Sequence, residues 1–264
     1  MLSDDKILLA RTEEKAALCY NNSMITHGEF LDMHQRSLIS SVRLPYPDIK
    51  RVFFGGFDGA ERCIAVFLPE YVPADDERSL REYFIENPDD DPLKYIEVTK
   101  DRFSPKLTHR DYLGALMALG IKREMTGDIM VSDSGCRIAV LAGMARFIVE
   151  NLDKAGRGSL TAKLISLEEA SEATSSPGKP DSFTVSSLRL DSVVKNGFSV
   201  SRSAACEAIE NGSVYLNDTE CLKADKKIAQ GDKIVLRHRG RIIVTDCSGV
   251  SKKGRIIVGI LRFV

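Results

Sequence analysis

Arg189-Leu190-Asp191-Ser192-Val193-Val194-Lys195-Asn196-Gly197, then Ser201-Arg202-Ser203-Ala204-Ala205, then Asn211-Gly212-Ser213-Val214-Tyr215-Leu216-Asn217, is the stretch that decides the C-terminal fold. Leu190, Val193 and Val194 recur at helical spacing, and Gly197 is placed to stop that helix in a left-handed conformation. Ser201 can cap a second helix that carries Ala205 and Ile209 on one face and ends at Gly212. The expectation is two short helices joined by a tight turn and followed by strands at 213–216, 233–237, 241–244 and 255–258. Asn217-Asp218, Gly231-Asp232 and Arg239-Gly240 mark the turns between them. At the start of the second helix, free backbone N–H groups coincide with the Ser201 and Ser203 hydroxyls and the Arg202 guanidinium, a combination suited to phosphate. The competing interpretation is an ordinary helix surface, with Asp191 pairing Lys195 at i,i+4.

Together, Arg189 to Asp191, Ser201 to Ser203, Asn211-Gly212, Val214 to Asn217 and Gly231-Asp232-Lys233-Ile234 resemble the S4-type RNA-binding domain. The resemblance implies an RNA grip at Arg189, Lys195, Ser201, Arg202 and Ser203. Lys226 and Arg237 join it from the basic residues that crowd the turns and strand ends.

Outward from this stretch, residues 168–182 are polar and rich in Ser, Pro and Gly, which predicts a flexible linker. Before it, 95–98 alternates as a strand, 108–119 reads as a helix ended by Gly120, 129–131 and 137–141 read as strands, 145–152 as a helix and 160–165 as a strand. That order is βαββαβ, ferredoxin-like and shared by RRM-like domains. At the N-terminal end, 7–20 and 28–37 read as helices and 52–54 with 63–68 as a hairpin across Gly55-Gly56-Phe57-Asp58-Gly59. That glycine run lacks a Gly-Lys-Ser/Thr ending or a following helix, so a turn is favoured over a nucleotide loop. Asp75-Asp76-Glu77 and Asp89-Asp90-Asp91 read as solvated acidic loops. The fold class is therefore α+β in three domains: an N-terminal α+β domain at 1–91, a ferredoxin-like domain at 92–167 and, beyond a linker at 168–182, an S4-type domain at 183–264.

Leu107-Thr108-His109-Arg110-Asp111-Tyr112-Leu113-Gly114, Leu119-Gly120-Ile121-Lys122-Arg123-Glu124 and Gly127-Asp128-Ile129, taken with the C-terminal pattern, resemble the YlmH family of bacterial S4-domain proteins. The resemblance is strong from Leu93 onward and looser before it. It implies a cytoplasmic RNA-binding protein that contacts large-subunit ribosomal RNA and tRNA on obstructed large ribosomal subunits, in ribosome-associated quality control. His109, Arg110, Lys122 and Arg123 are candidates for a secondary RNA contact, and Thr108 with Asp111 has capping-box spacing.

Charge is distributed unevenly along the 264 residues: net −8 over 1–91, +4 over 92–167, −3 over 168–181 and +6 over 182–264. Basic segments joined to an acidic one favour nucleic acid, although solubility alone explains the same asymmetry. The six cysteines are scattered with no histidine at ligand spacing, so reduced buried thiols are expected and no metal or other cofactor. No signal sequence opens the chain, and 138–149, the most apolar window, contains Arg146 and is too short to cross a bilayer.

An enzyme would have to rest on His109-Arg110-Asp111, which resembles both a pseudouridine-synthase motif and a kinase catalytic loop. The other kinase elements are absent from the sequence, and the region before the linker is too small and wrongly ordered for a synthase. The expectation is a monomeric binding protein without catalysis. An RNA-modifying enzyme and an adaptor for division machinery that docks through the acidic N-terminal part are the alternatives.

Overall fold

A computed structural model describes residues 3–172, 178–237 and 239–263. The chain is a mixed α and β protein that divides into two compact units, Met1–Ser175 and Ser176–Val264.

The first unit begins with α1 (Ser3–Asn22), β1 (Thr26–His27), α2 (Met33–Ser40), β2 (Lys50–Phe54), β3 (Ile64–Leu68) and α3 (Glu77–Glu86). There follow β4 (Leu93–Lys100), α4 (His109–Ala118), a 3-10 turn (Arg123–Met125), β5 (Thr126–Val131), β6 (Gly135–Leu141), α5 (Ala142–Asn151), β7 (Lys154–Ala155), β8 (Gly158–Ile165) and α6 (Leu167–Glu172). Two antiparallel sheets result, one in the order β1-β3-β2 and one in the order β5-β6-β4-β8-β7.

Strand periodicity explains how they stack. In β3, Ile64, Val66 and Leu68 enter a central core, while Ala65 and Phe67 face the opposite way, into a cluster with Ala16, Cys19 and Ile39 of α1 and α2. In β4, Leu93 and Tyr95 point into the same central core, while Ile96 and Val98 join Tyr112 and Leu116 of α4 and Ile148 of α5. β3 and the start of β4 are buried on two faces, which is why β3 reads as an unbroken apolar run rather than an alternation. The central core also takes Leu80 and Phe84 of α3 and Leu167 and Ala170 of α6. It spans the expected boundary near residue 91, so the segments 1–91 and 92–167 share one interior.

Some expectations shift in this unit. The helix expected at 28–37 starts at Met33, where the Asp32 side chain accepts from the Gln35 amide and Gln35 reaches back to the Asp32 amide. Asp76, expected in a solvated loop, caps α3 through the Ser79 amide. The glycine run is a turn: Gly56 has φ of 81°, and a Cβ there would run into the Tyr95 ring.

The second unit contains β9 (Lys179–Val185), α7 (Leu190–Gly197), α8 (Arg202–Glu210), β10 (Val214–Leu216), β11 (Thr219–Glu220), β12 (Lys233–Leu236), β13 (Gly240–Val250) and β14 (Ile256–Phe263). Its six strands run β11-β10-β12-β13-β14-β9, all pairs antiparallel. Leu190, Val193 and Val194 of α7 and Ala205 and Ile209 of α8 pack on Val214, Ile234, Ile242, Val258 and Ile260. At about 1.5–3 kcal/mol per buried aliphatic side chain, this face holds the two helices in place.

Gly197 is the last residue of α7 but not the left-handed one; Ser199, with φ of 54°, makes the turn. Gly197 is needed for space instead, because a Cβ would lie 2.5 Å from Ile242 Cδ1. The expected linker is structured at both ends, by α6 and by β9, and of it residues 173–177 lie outside the described residues.

Candidate nucleic-acid interface

In the second unit, α7 and α8 meet at a corner built on one carboxylate. Arg189 is the N-cap residue of α7, and its guanidinium donates from Nε to Asp191 Oδ1 at 3.1 Å and from Nη2 to Oδ2 at 3.3 Å. Arg202, the first residue of α8, places Nη2 3.7 Å from Asp191 Oδ2. The Asp191 side chain is 2% exposed, whereas those of Arg189 and Arg202 are 43% and 73% exposed. Burial alone would push the Asp191 carboxyl up. Arg189, the Ser192 amide and Arg202 outweigh it, and Asp191 is held below the usual carboxylate range. One anchored anion thus steadies two outward-facing cations, leaving a net positive corner.

Ser201 caps α8, its Oγ accepting from the Ala204 amide at 3.1 Å, and it shares a 2.9 Å hydrogen bond with Ser203 Oγ. Both serines are exposed beside Arg202. Their hydroxyls keep the first turn intact, and the amides of that turn have no partner within the helix.

The segment around Lys226 runs alongside the start of α7: the Leu190 amide donates to Lys226 O, the Asp191 amide to Ala224 O and the Ile228 amide to Leu188 O. Exposed Lys226 therefore sits beside Arg189. Lys227, which bridges Arg189 in the backbone ladder, belongs to the same surface and was not a sequence candidate for it. Only pairing across distant residues places it there. Lys195 is exposed in the last turn of α7, and Asp191 engages Arg189 and Arg202 in its place. Arg237 is exposed but stands away from the corner. Its amide donates to Ser213 O, beyond the C-terminal end of α8, about 13 Å along the helix from Arg202.

In the first unit, His109 and Arg110 are exposed at the start of α4. Asp111 is committed to the turn, its Oδ2 accepting from the Thr108 amide and hydroxyl, each at 2.7 Å. Lys122 and Arg123 follow the opposite end of α4, so the four residues do not form one surface. Arg123 is half-buried and donates from Nη1 to Thr126 O, Thr126 Oγ1 and Gly127 O. Burial and the neighbouring Arg62 pull it down to about 10. Its guanidinium fastens the backbone and does not face solvent as Lys122 does. Among the described residues no cluster of His, Cys, Asp or Glu is arranged to hold a metal ion. The six cysteines are free thiols, and no described helix is long and apolar enough to cross a membrane.

The fold and this corner define an α+β chain that displays fixed cations on one of its two units. Residues 89–169 match the family described as "Putative RNA-binding domain in YlmH". The ribosome-associated protein quality control protein P2 of Bacillus subtilis (strain 168) is 31% identical over 228 residues, 86% of this chain and 83% of its own. The chain belongs to the YlmH family. Among solved structures, the cell division protein ylmH from Streptococcus pneumoniae is similar over 65% of this chain and 96% of its own, at 19% identity and a TM-score of 0.47.

Proposed function

We propose that this chain is a non-catalytic RNA-binding protein of ribosome-associated quality control. It grips folded RNA by its phosphates, through the α7–α8 corner of an S4-type domain at 183–264. The observation that carries the proposal is the buried Asp191 carboxylate holding Arg189 and Arg202 outward, since phosphate contacts are strongest from guanidiniums already fixed in place. Lys226 and Lys227 extend the same surface along the RNA backbone. Residues 92–167 act as a ferredoxin-like, RRM-like layer, an assignment supported by the strand order β5-β6-β4-β8 with α4 and α5 on one face. The partners are large-subunit ribosomal RNA and tRNA on the large ribosomal subunit, in the cytoplasm, with the protein as a monomer. Binding is favoured over RNA modification because Asp111, the acid of the His109-Arg110-Asp111 triplet, is tied into the capping box.

Sedimentation of the full chain with purified large ribosomal subunits tests this directly. The wild-type protein is expected in the subunit fraction, and the Arg189→Ala/Arg202→Ala variant at the top of the gradient. Equal co-sedimentation of both, or of neither, would contradict it.

A further inference from the structure

Phe103 is the most exposed of the large apolar side chains among the described residues, at 80%. It does not sit on a loose segment. The Asp101 amide donates to Ser159 O, the Ser104 amide to Asp101 O, the Phe103 amide to Asp101 Oδ1 and the Ser159 amide to Ser104 Oγ. The loop between β4 and α4 is thereby pinned to the start of β8, and it holds an aromatic ring in water with no apolar neighbour to cover it. One face of that ring carries the Arg102 guanidinium, 4.6 Å from the centroid.

Further cations stand on this loop and on the elements it is joined to. Lys106 is exposed on the same loop, Arg110 and Lys154 line one cleft of about 530 Å³, and Arg157 is exposed in the turn between β7 and β8. The close approach of that turn is enforced at Gly158, where a Cβ would lie 3.1 Å from Leu107 and 3.2 Å from Ser104. Three nearby acids temper the charge: Asp101 and Asp111 accept hydrogen bonds within the loop and the cap, and Asp153 lines the cleft. Cations outnumber these acids, and the uncharged π face of Phe103 is exposed on the same loop as two of the cations.

We infer that this end of the five-stranded sheet is a second RNA contact, which takes an unpaired nucleotide with its base stacked on Phe103. The flanking phosphates run between Arg102 and Lys106 on one side and Arg110, Lys154 and Arg157 on the other. The inference rests on the RNA-binding proposal above and deepens it, by dividing the task between folded RNA at Asp191's corner and a single strand here. An unpaired base offers its whole π face, which a base inside a duplex does not, and stacking of this kind tolerates any sequence. A guanidinium and an aromatic plane together form a platform of the sort that nucleobases stack on.

The test uses the full chain as wild type, Phe103→Ala, Phe103→Tyr and Arg202→Ala, with two probes: a ten-nucleotide single-stranded RNA carrying 2-aminopurine, and a closed RNA hairpin without unpaired tails. Wild-type protein should quench the 2-aminopurine fluorescence. Phe103→Ala should lose about five- to a hundred-fold in affinity for the single strand and less than about two-fold for the hairpin, and Phe103→Tyr should restore both quenching and affinity. Arg202→Ala should weaken the hairpin more than the single strand. Unchanged single-strand affinity in Phe103→Ala, or equal losses on both probes, overturns the second contact while leaving the Arg202 surface standing. Loss in Phe103→Ala of flotation with phosphatidylglycerol vesicles, with RNA binding intact, would reassign the patch to a membrane and overturn it as well. If the wild-type protein binds neither probe, the RNA-binding proposal fails first and this contact with it.

Discussion

Each unit contains one aspartate set among two arginines, and the two clusters are used in opposite ways. In the first unit, Asp128 accepts from the Glu61 and Arg62 amides at 2.7 and 3.2 Å. Arg62 donates to Thr126 O, Phe30 O and Arg123 O, and Arg123 donates to the Thr126 and Gly127 carbonyls. The guanidiniums there are turned inward onto backbone. In the second unit, Asp191 is the buried partner, and Arg189 and Arg202 stay 43% and 73% exposed to something outside. The residue types are the same; what differs is whether the carbonyls around the cluster are already satisfied. Where a sheet junction offers several to it, arginine closes them, and where backbone amides take them, as those of Leu190 and Asp191 take Lys226 O and Ala224 O, arginine remains available to an external anion.

Breaking the inward cluster should give the largest effect. Arg62→Ala takes the side-chain donor from Phe30 O, leaves Thr126 O and Arg123 O to their remaining donors and removes a cation from beside Asp128, so urea unfolding should show a loss of about 2–4 kcal/mol. RNA affinity of the folded fraction should not change. If Arg62→Ala leaves stability intact, the two clusters do not differ as described.

A third carboxylate sharpens the contrast because it forms no ion pair among the described residues. Asp91 is 5% exposed and accepts from the Leu93 amide at 2.9 Å and from Tyr95 Oη at 3.0 Å. Burial pushes its carboxyl from 3.8 up to about 6. The folded chain then holds a proton that the unfolded chain has released, so this group's contribution to stability is greatest at low pH. It falls as pH rises from about 4 to about 6 and is level above. Asp91→Asn should flatten that window and be more stable than wild type near neutral pH by about 1–3 kcal/mol in chemical denaturation. A variant that keeps the wild-type pH profile would show that Asp91 titrates normally.

The same contrast marks what could be read in advance. The α7–α8 pair, the Ser201 cap, the hairpin of β2 and β3 and the order of β4 to β8 follow from local spacing, and all are legible in the sequence. So were Arg189 and Arg202 as exposed cations. Arg123 was not legible as a fastener, because the Thr126 and Gly127 carbonyls it serves lie where the pairing of β5 with β6 shifts register between Thr126 and Ile129, which local spacing does not announce. Nor was β9, since Lys179-Pro180-Asp181-Ser182 has little strand character and is ordered by pairing along β14. Helix α3 carries a local signal, Asp76 with Ser79 ahead of Leu80 and Phe84, but the acids around it have the composition of a loop. Near residue 91 the charge changes sign, while the packing that joins Phe54 and Phe84 to Leu93 and Tyr95 across that point has no signal in local spacing.

The central claim is that Arg202 is open to phosphate and Arg123 is not. The most direct measurement is the slope of log affinity against log salt for a structured ribosomal RNA fragment, taken for wild type, Arg202→Ala and Arg123→Ala. Arg202→Ala should lower the slope by about one unit, and Arg123→Ala should leave it unchanged at temperatures where it stays folded. An unchanged slope in Arg202→Ala, or an equal fall in both variants, would contradict the account.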